Sequence, residues 1–506
     1  MQESRIVMEP GRNCWRIEPA ERFAFIVDAA DYFVAVRKAM LAARRSILLI
    51  GWDFDARISF GDHSDGGPER LGDFILWLAD RTPALEIRLL RWDTGALKTL
   101  FRGTTLFTIL RWKAHPRITL RLDAAHPLAS SHHQKIVAID DCMAFCGGID
   151  MTMNRWDTRE HLDDDPKRIS PGGRHHPPWH DATSAFDGKA AGAIADLARA
   201  RWKAATGEVL EPCEDCHDCW PPGLPARLRD APLAIARTVP KMEGVEPRHE
   251  IEEAYADMIR AARRFIYLES QYFASRRIAR AVAERLLEED GPEILVINPR
   301  AAHGWLEPLA MDTARARLVK ALRRIDMHGR LGIYHPVTAG GADIYVHAKV
   351  MVVDDAVLRV GSSNVNNRSL RLDTECDVIL STDAPGCAHL REGIAALRDD
   401  LLAEHLGVTP GVVGETLART GSLLATVEAL RGPGRSLRPY ELPDLNGFTK
   451  WLADNEILDP NGPDEIFESP AKRGLFKGWE RLRERIRRAR STLRRRPRAG
   501  SSGSRR

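Results

Sequence analysis

The sequence predicts an α/β protein built from two lobes of one architecture, followed by a helical, basic tail. Two internal repeats and the length carry that expectation. The stretch "SHHQKIVAIDDCMAFCGGID" at 131–150 and the stretch "YVHAKVMVVDDAVLRVGSSN" at 345–364 share one skeleton: His133, Lys135, Asp140 and Gly147 recur 214 residues later as His347, Lys349, Asp354 and Gly361. "AARRSILLIGWDF" at 42–54 likewise resembles "AARRFIYLESQYF" at 261–273, at an offset of 219. A chain of 506 residues exceeds what one hydrophobic core usually serves, so duplication of a lobe is the economical reading.

The first lobe is expected over 1–212. The run "DYFVAVRKAMLAARR" has apolar residues at helical spacing and leads into a short apolar strand. Further on, KIVAID and CMAFCGG read as two strands turned near Asp140-Asp141. Side chains alternate along a strand, so His133 and Lys135 share a face at the strand's start. An imidazole beside an ammonium suits phosphate chemistry: the lysine binds phosphoryl oxygens while the histidine attacks phosphorus or moves a proton. Asp140, at a strand end, reads mainly as a turn-capping carboxylate. Gly147 and Gly148 allow close backbone approach. The histidines of "RHHPPWHD" (His175, His176 and His180) read as loop residues rather than metal ligands, with Trp179-His180-Asp181 starting a packed strand.

Residues 213–235 are expected as a Cys/Pro-rich linker. Within "CEDCHDCW", Cys213, Cys216 and Cys219 fall at three-residue steps around His217, a pattern that suits a soft metal. No fourth ligand stands at a customary zinc-finger distance, so an exposed acidic linker without metal is the preferred reading. The remaining cysteines are not spaced as a disulfide framework.

The second lobe is expected over 236–405. "EIEEAYADMIRAARR" supplies the matching helix, and KVMVVD and AVLRVGSS the matching hairpin around Asp354. His347 and Lys349 again share a face. Gly361, Ser362 and Ser363 are the backbone-approach positions here, and Asn364 can donate an amide hydrogen bond to a phosphate oxygen.

The pattern H-x-K-x4-D-x6-G-[GS], present twice, resembles the phospholipase D superfamily. The segments "GGIDMTMNRWD", "PWHD", "YLESQYF" and "GSSNVNNRS" resemble its eukaryotic-type members more than its small nucleases. The likeness spans about residues 20–390. It implies two pseudo-twofold related α-β-α lobes with one active site between them, a histidine nucleophile, and no catalytic metal or other cofactor. Carried over position by position, His133 matches the nucleophile and His347 the general acid. Lys135, Lys349 and Asn364 match phosphate-binding positions, and Glu269 and Gln271 match a pocket segment. Glu375 fits the carboxylate that orients the second histidine. Asp157 is the candidate for the first. Asp150 departs from the pattern: it stands where smaller members carry an asparagine, and a carboxylate cannot donate to phosphate, so the two half-sites should be inequivalent.

The resemblance implies hydrolysis of glycerophospholipids to phosphatidic acid and a free head group, or transfer of the phosphatidyl group to an alcohol. Phosphatidyl transfer in cardiolipin or phosphatidylserine synthesis, and an inert membrane-binding scaffold, are the other readings. The scaffold is disfavoured because it would need neither His-Lys pair.

After the second lobe, 406–470 is expected as a helical extension and 471–506 as a basic tail. The tail carries 15 Lys+Arg against 2 Asp+Glu, whereas the preceding 470 residues hold 59 basic and 69 acidic side chains. An acidic body argues against nucleic acid as a partner. In the tail, Leu475, Trp479, Leu482, Ile486, Ala489 and Leu493 form an apolar helical stripe among arginines, which suits an anionic membrane surface. No apolar run reaches the ~18 residues of a spanning helix and no signal-peptide core opens the chain. A monomer in the cytoplasm, peripheral at the inner membrane surface, is the expectation.

Overall fold

The computed structural model describes residues 6–61, 64–93, 105–127, 130–301 and 307–442. The basic tail and residues 443–470 of the expected extension lie outside them. Among the described residues, no helix is long and apolar enough to cross a membrane.

Among the described residues, 16 strands form one sheet that runs through both lobes. At its centre Arg16–Val27 and Leu228–Val239 pair antiparallel, with Arg16 opposite Ile235 and Phe23 opposite Leu228. On one side of this pair follow Ala182–Asp187, Met143–Gly147, Ile136–Ile139, Ser46–Gly51, Glu86–Trp92 and Ile118–Asp123. On the other follow Glu375–Ser381, Val357–Gly361, Val350–Val353, Phe265–Glu269, Glu293–Ile297 and Leu331–Val337. Each side begins with antiparallel pairings and ends with two parallel ones, in the same order. The duplication read from the sequence is thus a pseudo-twofold about the central strand pair.

Helices cover both faces, which is why the inner strands are apolar without alternation: SILLIG, IVAI and VMVV are buried almost throughout. Ala29–Ala42 and Leu71–Arg81 enclose one core with the first lobe's strands. Glu250–Ala261 and Arg276–Leu286 enclose the equivalent core of the second. A third core lies on the opposite face, where Gly188–Thr206 and Leu390–Leu406 sit beneath both lobes.

Two boundaries differ from expectation. The linker of 213–235 ends early, because Leu228 onward is a central strand held by the first strand of the chain. The extension after 406 is not wholly helical either. Pro410–Thr420 and Leu423–Leu430 are helices, but Ser436–Pro439 adds an antiparallel edge strand beside Leu331–Val337.

Candidate active site

The two histidine motifs lie at the starts of the hairpins and meet where the lobes join. Each histidine's backbone is held by the opposite lobe: His133 N donates to Thr374 O at 3.0 Å, and His347 N donates to His180 O at 2.7 Å. A short parallel pairing of Trp179–His180 with Tyr345–Val346 reinforces the second contact.

The rings are fixed in the same crossed manner. His133 Nδ1 lies 3.0 Å from both carboxylate oxygens of Glu375, and His347 Nδ1 lies 2.6 Å from Asp181 Oδ2. With Nδ1–H donating to a carboxylate, Nε2 of each ring keeps its lone pair for the cavity that both histidines line. Sequence reasoning assigned Glu375 to His347 and tried Asp157 for His133, and the structure corrects both. Glu375 serves His133. Asp157 instead binds His161 Nδ1 at 2.9 Å and accepts from Trp179 N at 2.8 Å. Asp181, which sequence reasoning took only for the start of a strand, is the partner of His347. It leads Ala182–Asp187 as Glu375 leads its own strand, so the two occupy equivalent places in the duplicated sheet.

Burial lowers both histidines well below their usual range, and the neighbouring lysines lower them further. Their carboxylates diverge. Burial pushes Glu375 well above the ordinary carboxylate range. Burial also acts upward on Asp181, but the facing His347 and Lys349 outweigh it and hold the group down at about 2. Lys349 is pushed down to about 7 by burial.

Lys135 and Lys349 each turn back to accompany their motif histidine, donating to its carbonyl oxygen. Lys135 Nζ also pairs with Asp150 Oδ2 at 3.2 Å, while Asn364 Nδ2 in the second lobe donates to Gln271 Oε1 at 3.2 Å. The cavity between the histidines measures about 390 Å³ and includes Asp150, Asn364 and Gln271 in its lining. Aromatic rings form much of its wall. Trp52 stands edge-on to His133, with ring centroids 6.4 Å apart, and Trp179 stacks on Tyr345 at 4.6 Å.

Several positions of the two motifs support the site from behind. Asp140 accepts from the backbone N–H groups of Arg44, Arg45 and Ser46 at 2.6, 2.9 and 2.6 Å. Asp354 accepts from Arg263, Arg264 and Phe265 in the same way. These aspartates tie each hairpin turn to the Ala-Ala-Arg-Arg loop, which explains why the two repeats recur together; they do not belong among the reacting groups. Asp140→Ala should leave three backbone donors without their acceptor. At roughly 1–3 kcal/mol for each buried unsatisfied group, a loss of about 3 kcal/mol or more is expected by equilibrium denaturation, and a smaller one for the more exposed Asp354. An Asp140→Ala protein as stable as the parent would contradict this role.

Gly147 packs against the neighbouring strand, where a Cβ would come within 2.4 Å of Thr183 Cα, and does not face substrate. A Cβ on Gly148 would meet Asp181 Oδ1 at 2.2 Å, and one on Gly361 would meet Asp377 Oδ1 at 2.0 Å. Ser362 is a positioning residue: its Oγ donates to Glu375 Oε2 at 2.5 Å. Glu269 lies away from the cavity. It is buried in a charged network, accepting from His180 Nε2 at 3.0 Å and His405 Nε2 at 2.9 Å. Gln271, two residues on, does reach the cavity and donates to Tyr345 OH at 2.8 Å.

The chain is similar to known proteins in sequence and in fold. The family description "Phospholipase D" matches residues 39–218, and "Cardiolipin synthase, PLD-like domain" matches 255–396. The chain is 23% identical to phospholipase D A of Dictyostelium discoideum, over a match covering 76% of this chain and 36% of that protein. It is 24% identical to phospholipase D alpha 1 of Arabidopsis thaliana, covering 80% and 65%. The chain therefore spans from about a third to just under two thirds of the length of such relatives. Among solved structures, a phosphatidylserine synthase from Haemophilus influenzae Rd KW20 shares the fold, with a TM-score of 0.52 at 12% identity over 82% of this chain and 96% of that one.

Proposed function

The chain belongs to the phospholipase D superfamily, and from that premise we propose that it cleaves glycerophospholipids on the head-group side of phosphorus through a covalent histidine intermediate. One observation carries the proposal: two histidines present Nε2 to one cavity, each with Nδ1 held by a carboxylate from the opposite lobe.

His133 Nε2 attacks phosphorus, forming a nitrogen–phosphorus bond as the bond to the head-group oxygen breaks. Burial and the neighbouring lysines hold His133 itself well below the usual imidazole range, so the ring stays an uncharged nucleophile. His347 delivers a proton to the departing oxygen. Asp181 remains anionic beside it, and together with the bound phosphodiester it favours the imidazolium form. His347 then takes a proton from water, whose oxygen attacks phosphorus and releases His133 with phosphatidic acid. Lys135, Lys349 and the Asn364 amide bind the non-bridging oxygens, where charge develops. The aromatic walls suit the glycerol and upper acyl region of a lipid.

The test is incubation with mixed phospholipid vesicles, with and without a primary alcohol. Phosphatidic acid and free head group are expected, with phosphatidyl-alcohol appearing when alcohol competes for the intermediate. Vesicles left intact while an oligonucleotide is cleaved would defeat the lipid reading.

The Lys349 shift gives a pH dependence. Its ammonium is lost above about 7 in the free enzyme, so kcat/KM should fall as pH rises through that value. The kcat profile, reporting the complex, should break at higher pH, because a bound phosphate anion favours the charged lysine. Lys349→Arg should remove the alkaline limb of kcat/KM at a cost in rate. If the limb persists unchanged in that variant, it belongs to another group.

A further inference from the structure

Four buried side chains, Asp28, His161, His180 and Glu404, bring one donor atom each to within 4.8 Å of the others. Glu404 Oε1 lies 2.8 Å from His180 Nδ1 and 3.2 Å from His161 Nε2, and Asp28 Oδ2 lies 3.4 Å from His161 Nε2. In each of the four, the protein already holds the other polar atom. Asp28 Oδ1 accepts from Asp181 N at 2.9 Å, and Glu404 Oε2 accepts from Arg159 Nε at 2.5 Å. His161 Nδ1 pairs with Asp157 Oδ2 at 2.9 Å, and His180 Nε2 with Glu269 Oε2 at 3.0 Å. Asp28 Oδ2 is buried with no hydrogen-bond partner among the described residues.

We propose that these four side chains form a closed structural zinc site, which fastens the second lobe's helix Leu390–Leu406 to the end of the first lobe's central strand Arg16–Val27. Bonds of about 2.0–2.1 Å in a tetrahedron set ligand atoms roughly 3.3 Å apart, close to the separations between Glu404, His161 and Asp28. A ring whose far nitrogen donates to a carboxylate is the arrangement that orients a metal-binding histidine and fixes its tautomer. Asp157 and Glu269 supply it to both rings. With the far nitrogens protonated, the near ones carry lone pairs, and two carboxylates balance a divalent cation. The alternative is a second proton on each ring, which leaves Asp28 Oδ2 buried without a donor, at a cost the cation removes. None of the four lines the cavity between the motif histidines, so the ion takes no part in the chemistry. It braces the segment behind His347. The His180 carbonyl accepts from His347 N at 2.7 Å, and Asp28 holds the backbone N–H of Asp181, whose carboxylate orients the His347 ring. Positions 28, 161, 180 and 404 form no motif, which is why the sequence presents His180 only as part of a packed strand.

The experiment is elemental analysis of the full chain, produced with zinc supplied and then dialysed, together with X-ray absorption at the zinc edge. About one zinc per chain is expected, with nitrogen and oxygen neighbours at about 2.0–2.2 Å and no sulfur at the ~2.3 Å of a thiolate bond. His161→Gln and Glu404→Gln should lower the zinc content roughly tenfold or more. His217→Ala, in the cysteine-bearing segment between the lobes, should leave it unchanged. Stripping zinc from the parent with a chelator should lower its thermal midpoint. Should the glutamine variants fail to fold, the absorption spectrum of the parent decides. A chain without zinc would overturn the proposal, and so would sulfur among the neighbours, full zinc content in folded His161→Gln, or a thermal midpoint indifferent to chelator.

Discussion

His133→Ala should abolish turnover on every substrate, whereas His347→Ala should fail selectively. Removing the nucleophile deletes the bond-forming step itself, and a loss of roughly 10⁴–10⁶-fold in kcat is expected whatever the leaving group. Removing the acid deletes a proton delivered to the departing oxygen. That loss should be on the order of 10²–10⁴-fold with an alkyl head group such as choline. With an aryl phosphodiester, whose leaving group departs without a proton, formation of the intermediate by His347→Ala should approach the parent rate. A pre-steady-state burst of aryl alcohol, followed by slow turnover, is the signature to look for. Equal loss on both substrates in both variants would remove the distinction between the two roles.

The crossed carboxylates give the second large effect. Asp181→Asn should behave as a weakened His347→Ala. The side chain still fits but no longer favours an imidazolium, so kcat should drop about 10²-fold with alkyl leaving groups and little in the aryl burst. Glu375→Gln should instead slow the burst itself, because the group it holds at 3.0 Å is the nucleophile. The reverse pattern, with Asp181→Asn slowing the burst and Glu375→Gln sparing it, would mean that the roles of the two histidines are exchanged.

Much of this site was legible in the sequence because its parts are local. The His-x-Lys pairs precede apolar strands, and the Asp140 and Asp354 turns reach back to the Ala-Ala-Arg-Arg loops, so both repeats could be read as strings. The partners of the histidines could not. They come from the opposite lobe, and that exchange exists only once Arg16–Val27 and Leu228–Val239 pair at the centre of the sheet. The loop lengths hid the symmetry as well: Asp181 follows His133 by 48 residues, while Glu375 follows His347 by 28. Aligning the lobes by their strands rather than by residue offset would have exposed Asp181. Glu269 misled for a different reason. The resemblance puts it in a pocket segment, yet it shares its strand face with Tyr267 and turns towards His405 on the helix beneath. Ser362 was similarly close to the chemistry but one contact removed, gripping Glu375.

The central claim is a covalent intermediate on His133. The most direct test is to mix His347→Ala with an aryl phosphodiester, quench without acid, and map protein-bound phosphorus by mass spectrometry. Removal of the group that activates water should let the intermediate accumulate, and the adduct should sit on the imidazole of His133. An adduct on any other residue, or a full equivalent of aryl alcohol released with no phosphorus on the protein, would contradict the account.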